Sequence, residues 1–450
     1  MQFELSKEFL ETIELAIQNS NLEWLKDHVL SLHDADIVSI LDELAFEPAS
    51  FLYHLLGEEI QGDVLMELDE DLRETLIKSF SNKEIAEQVE QLDSDDAADL
   101  MNELSDKQVE EVISHISDEE TAEYLVDLLN YDADTAGGLM KKEFILARLD
   151  WPVKKCVIEL RRQAEDVEKI FTIYVIDENE KLVGFLSLKR LLFANATELI
   201  ENLYQDKNVI SVKTNEDNEE VAKIMEKYDL VAVPVVDLQN KLVGRITIDD
   251  VVDIIKEEAD KDFQMASGIS ENIESDDSVW KISRARIPWL VIGLMGGVFG
   301  AQVISGFESG ISQVPALAFF IPLITAMGGN VGVQSSAIVV QSLARGTDKF
   351  SSILAKIWKE TLVALLNGLL LSLLVYGLAV FFDSVTLGLV VSFSLFTVIV
   401  FGGIFGTLIP LLLNKYKIDP ALATGPFITT LNDVLGLFIY LTIGVLMYGI

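Results

Sequence analysis

Residues 287–307 read IPWLVIGLMGGVFGAQVISGF, 21 positions without a charged side chain. An α-helix of that length crosses the ~30 Å hydrocarbon core of a bilayer at 1.5 Å per residue. Toward the C-terminus the pattern recurs four times: within Ser309–Ala344, over Thr361–Phe382, within Ser384–Asn414 and over Pro420–Ile450. Only the last contains a charge, Asp433, near its middle. Of the 27 glycines, 20 lie beyond residue 282, with six of the nine prolines, as expected where helices pack closely in lipid. Gly293, Gly296, Gly297 and Gly300 fall along one face of the first span and read as a close-packing stripe.

Charge divides the chain at the same place. The 450 residues carry 34 Lys+Arg and 73 Asp+Glu, a net −39. Six of those acids and eight of the bases lie in residues 283–450, which carry +2 and leave −41 on residues 1–282. Such a chain is neither a simple globular enzyme nor a nucleic-acid binder, which needs a basic surface for phosphates. It is too rich in large apolar residues to be disordered. Lys281, Arg284 and Arg286 precede the first span; Arg345, Lys349, Lys356 and Lys359 lie between the second and third; Lys415 and Lys417 lie between the fourth and fifth. The alternate loops hold only Glu308 and Asp383. Positive-inside bias predicts a cytoplasmic N-terminal region and an external C-terminus. Glu4 and Glu8 argue against a signal peptide. The single cysteine, Cys156, excludes a disulfide within the chain and fits a reducing compartment.

A carboxylate at membrane depth is costly unless it faces protein or water. Asp433 in Thr429-Thr430-Leu431-Asn432-Asp433 therefore reads as part of an ion pathway, with Gly425 and Pro426 loosening the backbone before it. Asn330 and Gln334, in Gly328-Gly329-Asn330-Val331-Gly332-Val333-Gln334-Ser335-Ser336, read equally as pore-lining amides or as interhelical hydrogen-bonding groups. No His or Cys follows residue 282, so the donors suit a hard cation. One Asp per chain supplies too few ligands for a dehydrated Ca²⁺ but can hold hydrated Mg²⁺. A two-fold dimer would double the carboxylate. Composition alone does not separate Mg²⁺ from other divalent ions.

Residues 1–130 read as short amphipathic helices wound into a superhelix, with Ser94, Ser105 and Ser117 as helix starts. His28, His33, His54 and His115 lack ligand spacing and read as structural. An internal repeat follows: Val175-Ile176-Asp177 through Lys181-Leu182-Val183-Gly184 recurs 60 residues on as Val235-Val236-Asp237 through Lys241-Leu242-Val243-Gly244. Each copy reads strand, turn, strand, helix. The pair resembles tandem CBS domains, regulatory modules that sense nucleotides or ions. Within that resemblance Thr247-x-x-Asp250 is a candidate ribose site, whereas the first copy has Ser187-x-x-Arg190 and lacks the acid. Asp249, Asp250, Asp253, Glu257, Glu258, Asp260 and Asp262 then form an acidic helical run. It is either a solvated face or a cation sensor, because two carboxylates 4 Å apart repel by about 4 kcal/mol at an effective dielectric near 20.

Taken together the chain resembles the MgtE family of magnesium transporters along essentially its whole length. The resemblance rests on Tyr131-x-x-Asp134-x-Ala136-Gly137-Gly138-Leu139-Met140, Gly306-Phe307-Glu308, Gly328-Gly329-Asn330-x-Gly332-x-Gln334-Ser335 and Pro426-x-x-x-Thr430-x-x-Asp433-x-x-Gly436. It implies a multidomain fold: an all-α superhelical N-domain (1–130), an α/β tandem CBS pair (131–198 and 199–256), a connecting "plug" helix region (257–282) and a five-helix transmembrane domain (283–450). It implies a homodimer in the cytoplasmic membrane, with Mg²⁺ as cargo and Asp433 as the pore carboxylate, lined further by Asn330, Gln334, Gly425, Thr429, Thr430 and Glu308. It also implies closure by cytosolic Mg²⁺ bound among Asp95, Asp96, Glu216, Asp229, Asp249, Asp250, Asp253, Glu257, Glu258 and Asp262, with ATP as a candidate modulator. Gly425 departs from the side-chain amide some members have there. No other protein partner is expected. The rival readings are a CBS-regulated transporter of Co²⁺ or a Na⁺/Mg²⁺ exchanger, a membrane-tethered sensor and an intramembrane protease. The last lacks an H-E-x-x-H motif in its membrane half, and no phosphate-binding loop suggests an ATP motor.

Overall fold

The computed structural model describes residues 5–164, 167, 169–207, 209–270, 273, 277–344, 353–423 and 425–450. Arg345 and Lys349 of the charge pattern lie outside the described residues. The chain forms two compact units, Met1–Ile255 and Lys256–Ile450.

Ten helices, α1–α10, occupy Lys7 to Leu128. None exceeds 12 residues, so each depends on burying one apolar face. Ile13, Leu25, Ile37, Leu52, Leu65 and Leu76 supply that face and are fully buried. Side-chain caps set the boundaries. Ser81 and Glu84 form a capping box, and so do Ser105 and Gln108. Two of the expected starts shift by one residue. Asp93 precedes α8 (Ser94–Asn102), and Asp118 caps α10 (Glu119–Leu128) by accepting from the Thr121 N–H. At α10 the Asp118 carboxylate takes the cap position from Ser117, whereas at α8 Ser94 is the first helical residue and the Asp93 carboxylate makes no cap bond but pairs with Lys141. The histidines engage locally: His28 stacks on Trp24, His33 caps a helix and His54 Nδ1 meets the Ser50 carbonyl at 2.6 Å.

The repeat folds as read. Its first copy is β1 (Ile145–Arg148), α11 (Val153–Gln163), β2 (Ile173–Ile176), β3 (Leu182–Leu186) and α12 (Leu188–Phe193). The second is β4 (Val212–Lys213), α13 (Asn218–Tyr228), β5 (Ala232–Val236), β6 (Leu242–Thr247) and α14 (Ile248–Ala266). Each sheet joins one parallel and one antiparallel pair, and each hairpin shifts register at the equivalent place, Val175/Ile176 and Val235/Val236. The repeated aspartate explains the turn. Asp177 accepts from the Asn179 and Lys181 N–H groups, as Asp237 does from Gln239 and Lys241. The first copy packs its own core around Ile145, Cys156, Val175 and Leu186, whereas the second shares one core with the N-terminal helices.

The glycine motif before the first copy is held by the second. Ala136 and Gly137 donate to the Glu216 and Thr214 carbonyls, and Lys141 and Arg245 exchange backbone hydrogen bonds of 2.7 and 2.9 Å. A Cβ on Gly137 would lie 2.4 Å from the Tyr131 ring and one on Gly138 2.5 Å from the Asp132 carbonyl, which accounts for both glycines.

The second unit contains the remaining turns of α14 and six further helices: α15 (Val279–Gly306), the short α16 (Glu308–Gln313), α17 (Ala316–Ala344), α18 (Ile353–Phe382), α19 (Val385–Lys415) and α20 (Pro426–Tyr448). Five of these, all but α16, are long and apolar enough to cross a membrane. α19 is the hub, packing on α17, α18 and α20, with 56% of its most apolar window buried against 11% for α15. Backbone contact sets its packing on α17: a Cβ on Gly406 would sit 2.4 Å from the Gly332 carbonyl and one on Gly402 3.0 Å from that of Gly328. The buried Tyr440 hydroxyl donates to the Leu317 carbonyl at 2.8 Å, tying α20 to α17.

Candidate functional site

Asp433 projects from the second turn of α20 into a cavity of about 350 Å³ lined by Gly293, Gly296, Gly297, Gly300, Thr325 and Thr430. The glycine stripe thus does two things. At Gly296 it is a packing device, since a Cβ would fall 1.8 Å from Thr430 Cγ2. At Gly293 and Gly297 a Cβ would meet nothing within 4 Å, so the missing side chains leave open space. The reading of the whole stripe as close packing is corrected to that extent. Gly329 serves the carboxylate from the other side, where its absent Cβ would lie 3.2 Å from Asp433 Oδ1.

The other membrane residues separate. Thr430 joins Asp433 in the cavity wall. Thr429 turns its hydroxyl back to the Gly425 carbonyl at 3.0 Å and rests its methyl group near Gly329. Asn330 and Gln334, one turn apart on α17, are exposed on the surface of the single chain. Their alternative role as hydrogen-bonding groups between helices of one chain is not realised among the described residues. Glu308 begins α16, is exposed and lies outside the cavity lining. Gly425 has φ +54°, and a Cβ there would stand 2.3 Å from the Ala266 carbonyl, so the last residue of α14 abuts the start of α20. That contact accounts for glycine where a side-chain amide is expected from the family pattern. Two polar groups escaped the sequence reading. Asn432 is 2% exposed with both amide atoms unpartnered, against Gly332 of α17. Glu360, at the edge of an apolar run, accepts from the Ser335 hydroxyl at 2.5 Å.

In the first unit the acids gather around a cation that the sequence reading overlooked. Lys141 Nζ lies 3.1 Å from Asp93 Oδ2, 3.4 Å from Asp95 Oδ2 and 3.4 Å from Asp250 Oδ1. Burial works against the Lys141 charge, but Asp95, Asp250, Asp93 and Asp96 together outweigh it and raise its pKa above the usual lysine range. Burial also raises Asp95 well above the ordinary carboxylate range and Asp96 to about 6, with Lys141 opposing both shifts. Thr247 binds Asp250 Oδ2 through its N–H at 3.2 Å and its hydroxyl at 2.7 Å. A ribose at Thr247 and Asp250 would therefore have to share Oδ1 with Lys141. Burial pushes Asp249 up, but hydrogen bonding from Thr247 and the charge of Lys141 bring its carboxyl below the ordinary range.

The remaining expected regulatory acids are not collected at that point. Asp229 is exposed in the left-handed cap of α13, at φ 50°. Glu216 keeps one buried, unpartnered carboxylate oxygen. Asp253 belongs to a looser acidic group in which burial first, then Asp34 and Asp63 and more weakly Asp253, raise the pKa of Glu67. Glu257, Glu258 and Asp262 continue along α14, with Glu258 paired to Lys261 at 2.9 Å. Among the described residues no three His, Cys, Asp or Glu side chains are arranged to hold a metal ion by themselves. The 3.1–3.4 Å distances about Lys141 are those of ammonium–carboxylate ion pairs.

Five apolar helices with a carboxylate opening on a cavity among them, beside an acidic body with two CBS-like repeats, define the class of an integral membrane cation transporter. Comparison with known proteins gives the particular family. The MgtE family, described as a divalent cation transporter, matches residues 321–443, the MgtE intracellular N domain matches 32–134, and CBS domains match 136–196 and 200–257. The magnesium transporter MgtE of Bacillus subtilis is 38% identical over 314 residues, covering 70% of this chain and 69% of that protein. Its counterpart from Thermus thermophilus is 38% identical over 323 residues, covering 71% of each. A solved structure, the cytosolic domain of the Mg²⁺ channel MgtE in complex with ATP, aligns with TM-score 0.51 and 32% identity over 54% of this chain and 99% of that one. The chain belongs to the MgtE family of magnesium transporters.

Proposed function

We propose that the protein is a channel-type transporter that passes Mg²⁺ down its electrochemical gradient and is closed by cytosolic Mg²⁺. The observation that carries the transport reading is the Asp433 carboxylate on a cavity of about 350 Å³. Six waters at ~30 Å³ each need roughly 180 Å³, so the space admits an octahedrally hydrated Mg²⁺. The membrane potential supplies ~2.3 kcal/mol per charge per 100 mV, and twice that for a divalent ion, without any ATP motor. The paired basic loops support a cytoplasmic N-terminus and an external C-terminus in the cytoplasmic membrane. The exposed amides Asn330 and Gln334 support a homodimer, because a second copy would cover polar groups that lipid would not.

Closure is assigned to the acids of α14 and its neighbours: Asp249, Asp253, Glu257, Glu258 and Asp262, with Glu216 and Asp229. Cation bound between them favours whichever arrangement brings them together, and so shifts the population toward it. The abutment of Ala266 on Gly425 supports a path from that helix to the mouth of α20. A nucleotide at Thr247 and Asp250 would compete with Lys141, so ATP is assigned a modulating role at most, and equilibrium dialysis of the purified chain with labelled ATP measures it.

Uptake into dye-loaded proteoliposomes tests the whole reading. Under an inside-negative potential set by K⁺ and valinomycin, Mg²⁺ entry should rise with the potential, need no Na⁺ gradient and exceed Co²⁺ entry. Entry that requires opposing Na⁺, or that favours Co²⁺, would transfer the protein to one of the rival transport classes.

A further inference from the structure

We infer that Lys141 is a built-in counter-ion that holds the N-terminal helices on the second CBS copy without any divalent cation. Lys141 is held in place by its two backbone bonds to Arg245 on β6, and its ammonium meets Asp93 and Asp95 at the start of α8 and Asp250 at the start of α14. The side chain is only 8% exposed, and that of Asp95 7%. Removing the ammonium would leave the buried Asp95 carboxylate facing the partly buried Asp250 and Asp93, an arrangement that opposes folding unless another cation enters. Asp95 Oδ1 has no partner, so the site retains an acceptor beyond those Lys141 uses. The neighbouring residue reinforces the clasp: Lys142 pairs with Asp127 of α10 and donates to the Val243 carbonyl at 3.1 Å, while Ser94 accepts from the Lys142 N–H and donates to Glu143.

Asp95 and Asp250, which the ammonium touches, therefore leave the metal-dependent set, and cation sensing falls chiefly to the acids farther along α14. The inference deepens the regulatory reading above and rests on it for its physiological sense. Its test reads backbone protection and not flux, so failure of one is distinguishable from failure of the other.

The experiment is amide hydrogen exchange on the full-length protein in detergent at pH 7.5, in EDTA, in 20 mM Mg²⁺ and in NaCl of equal ionic strength. For the unaltered chain, protection of Ser94–Asn102 and of Lys141–Glu143 should be the same in all three. For Lys141→Met, exchange of Ser94–Asn102 should accelerate roughly tenfold or more in EDTA and in NaCl, and return toward the unaltered rate in Mg²⁺. Lys141→Arg, which keeps the charge, should remain protected in EDTA and controls for a folding defect in the methionine variant. Loss of protection in EDTA by the unaltered chain would overturn the inference, as would full protection of Lys141→Met in EDTA. A Lys141→Met chain that NaCl restores as well as Mg²⁺, or that neither restores, would overturn the equivalence of ammonium and metal at this position.

Discussion

At the scale of single residues, the membrane half works by leaving side chains out. Gly296 and Gly297 are adjacent on α15 and do opposite jobs, one admitting Thr430 and the other bounding the cavity. Gly296→Ala should destabilise the helix pair by about 1–3 kcal/mol through overpacking, visible as a lower detergent-solubilised Tm, whereas Gly297→Ala should leave Tm unchanged. Equal effects of the two substitutions would contradict the placement of Thr430. The spacing of the stripe was legible in the sequence. Its division of labour was not, because it depends on which residues of α20 stand opposite. Lys141 illustrates the same limit more sharply. Its partners lie 48 residues before it, in Asp93, and more than 100 after it, in Asp250. Nothing local distinguishes it from Lys142.

At the scale of elements, α8 carries a pH signature. Asp96 has a folded pKa of about 6 against an ordinary 3.8, chiefly because it is buried. The folded form thus keeps its proton at pH values where the unfolded chain has lost it. The resulting stability is complete below the unfolded pKa and is lost as pH rises through about 6. In thermal unfolding the N-terminal region should accordingly be more stable at pH 5 than at pH 7.5, by about 1.4 kcal/mol from this group. Asp96→Asn should remove much of that slope, and an unaltered slope would show that the proton sits elsewhere. The Asp96 charge helps to raise Asp95 and Lys141 opposes both shifts, so the two substitutions should not be additive.

The end of α14 makes a second prediction at this scale. With Ala266 seated against Gly425, any side chain at 425 must displace one or the other, and its positive φ adds strain. Gly425→Asn should loosen this abutment, increase protease cleavage between residues 266 and 279 and raise resting Mg²⁺ uptake. Unchanged cleavage and uptake would remove α14 from the gating path. The helix itself was legible as an acidic run; its contact with the start of α20 was not, since a missing side chain leaves no sign in the pattern.

At the scale of the whole molecule, the division into an acidic body and an apolar body is visible in charge alone, −41 against +2. The five spans were legible because lipid requires long uninterrupted apolar runs, which leave a strong imprint. The CBS pair was legible because duplication preserved Val-x-Asp, then Lys-Leu-Val-Gly, and the structure shows both aspartates capping the same turn. The inner polarity of the membrane body was less legible. Glu360 sits just outside an apolar run, and its bond to Ser335 emerges only when α17 and α18 pack.

The account depends most on Asp433 lying in the path of the ion. Mg²⁺ uptake by proteoliposomes containing the unaltered chain, Asp433→Asn and Asp433→Glu measures this directly. Uptake should fall at least tenfold in the asparagine variant, by loss of the anionic charge, and be partly retained in the glutamate variant, with all three proteins equally folded by Tm. Full Mg²⁺ uptake by Asp433→Asn would contradict the central claim and place the conduction path elsewhere in the membrane body.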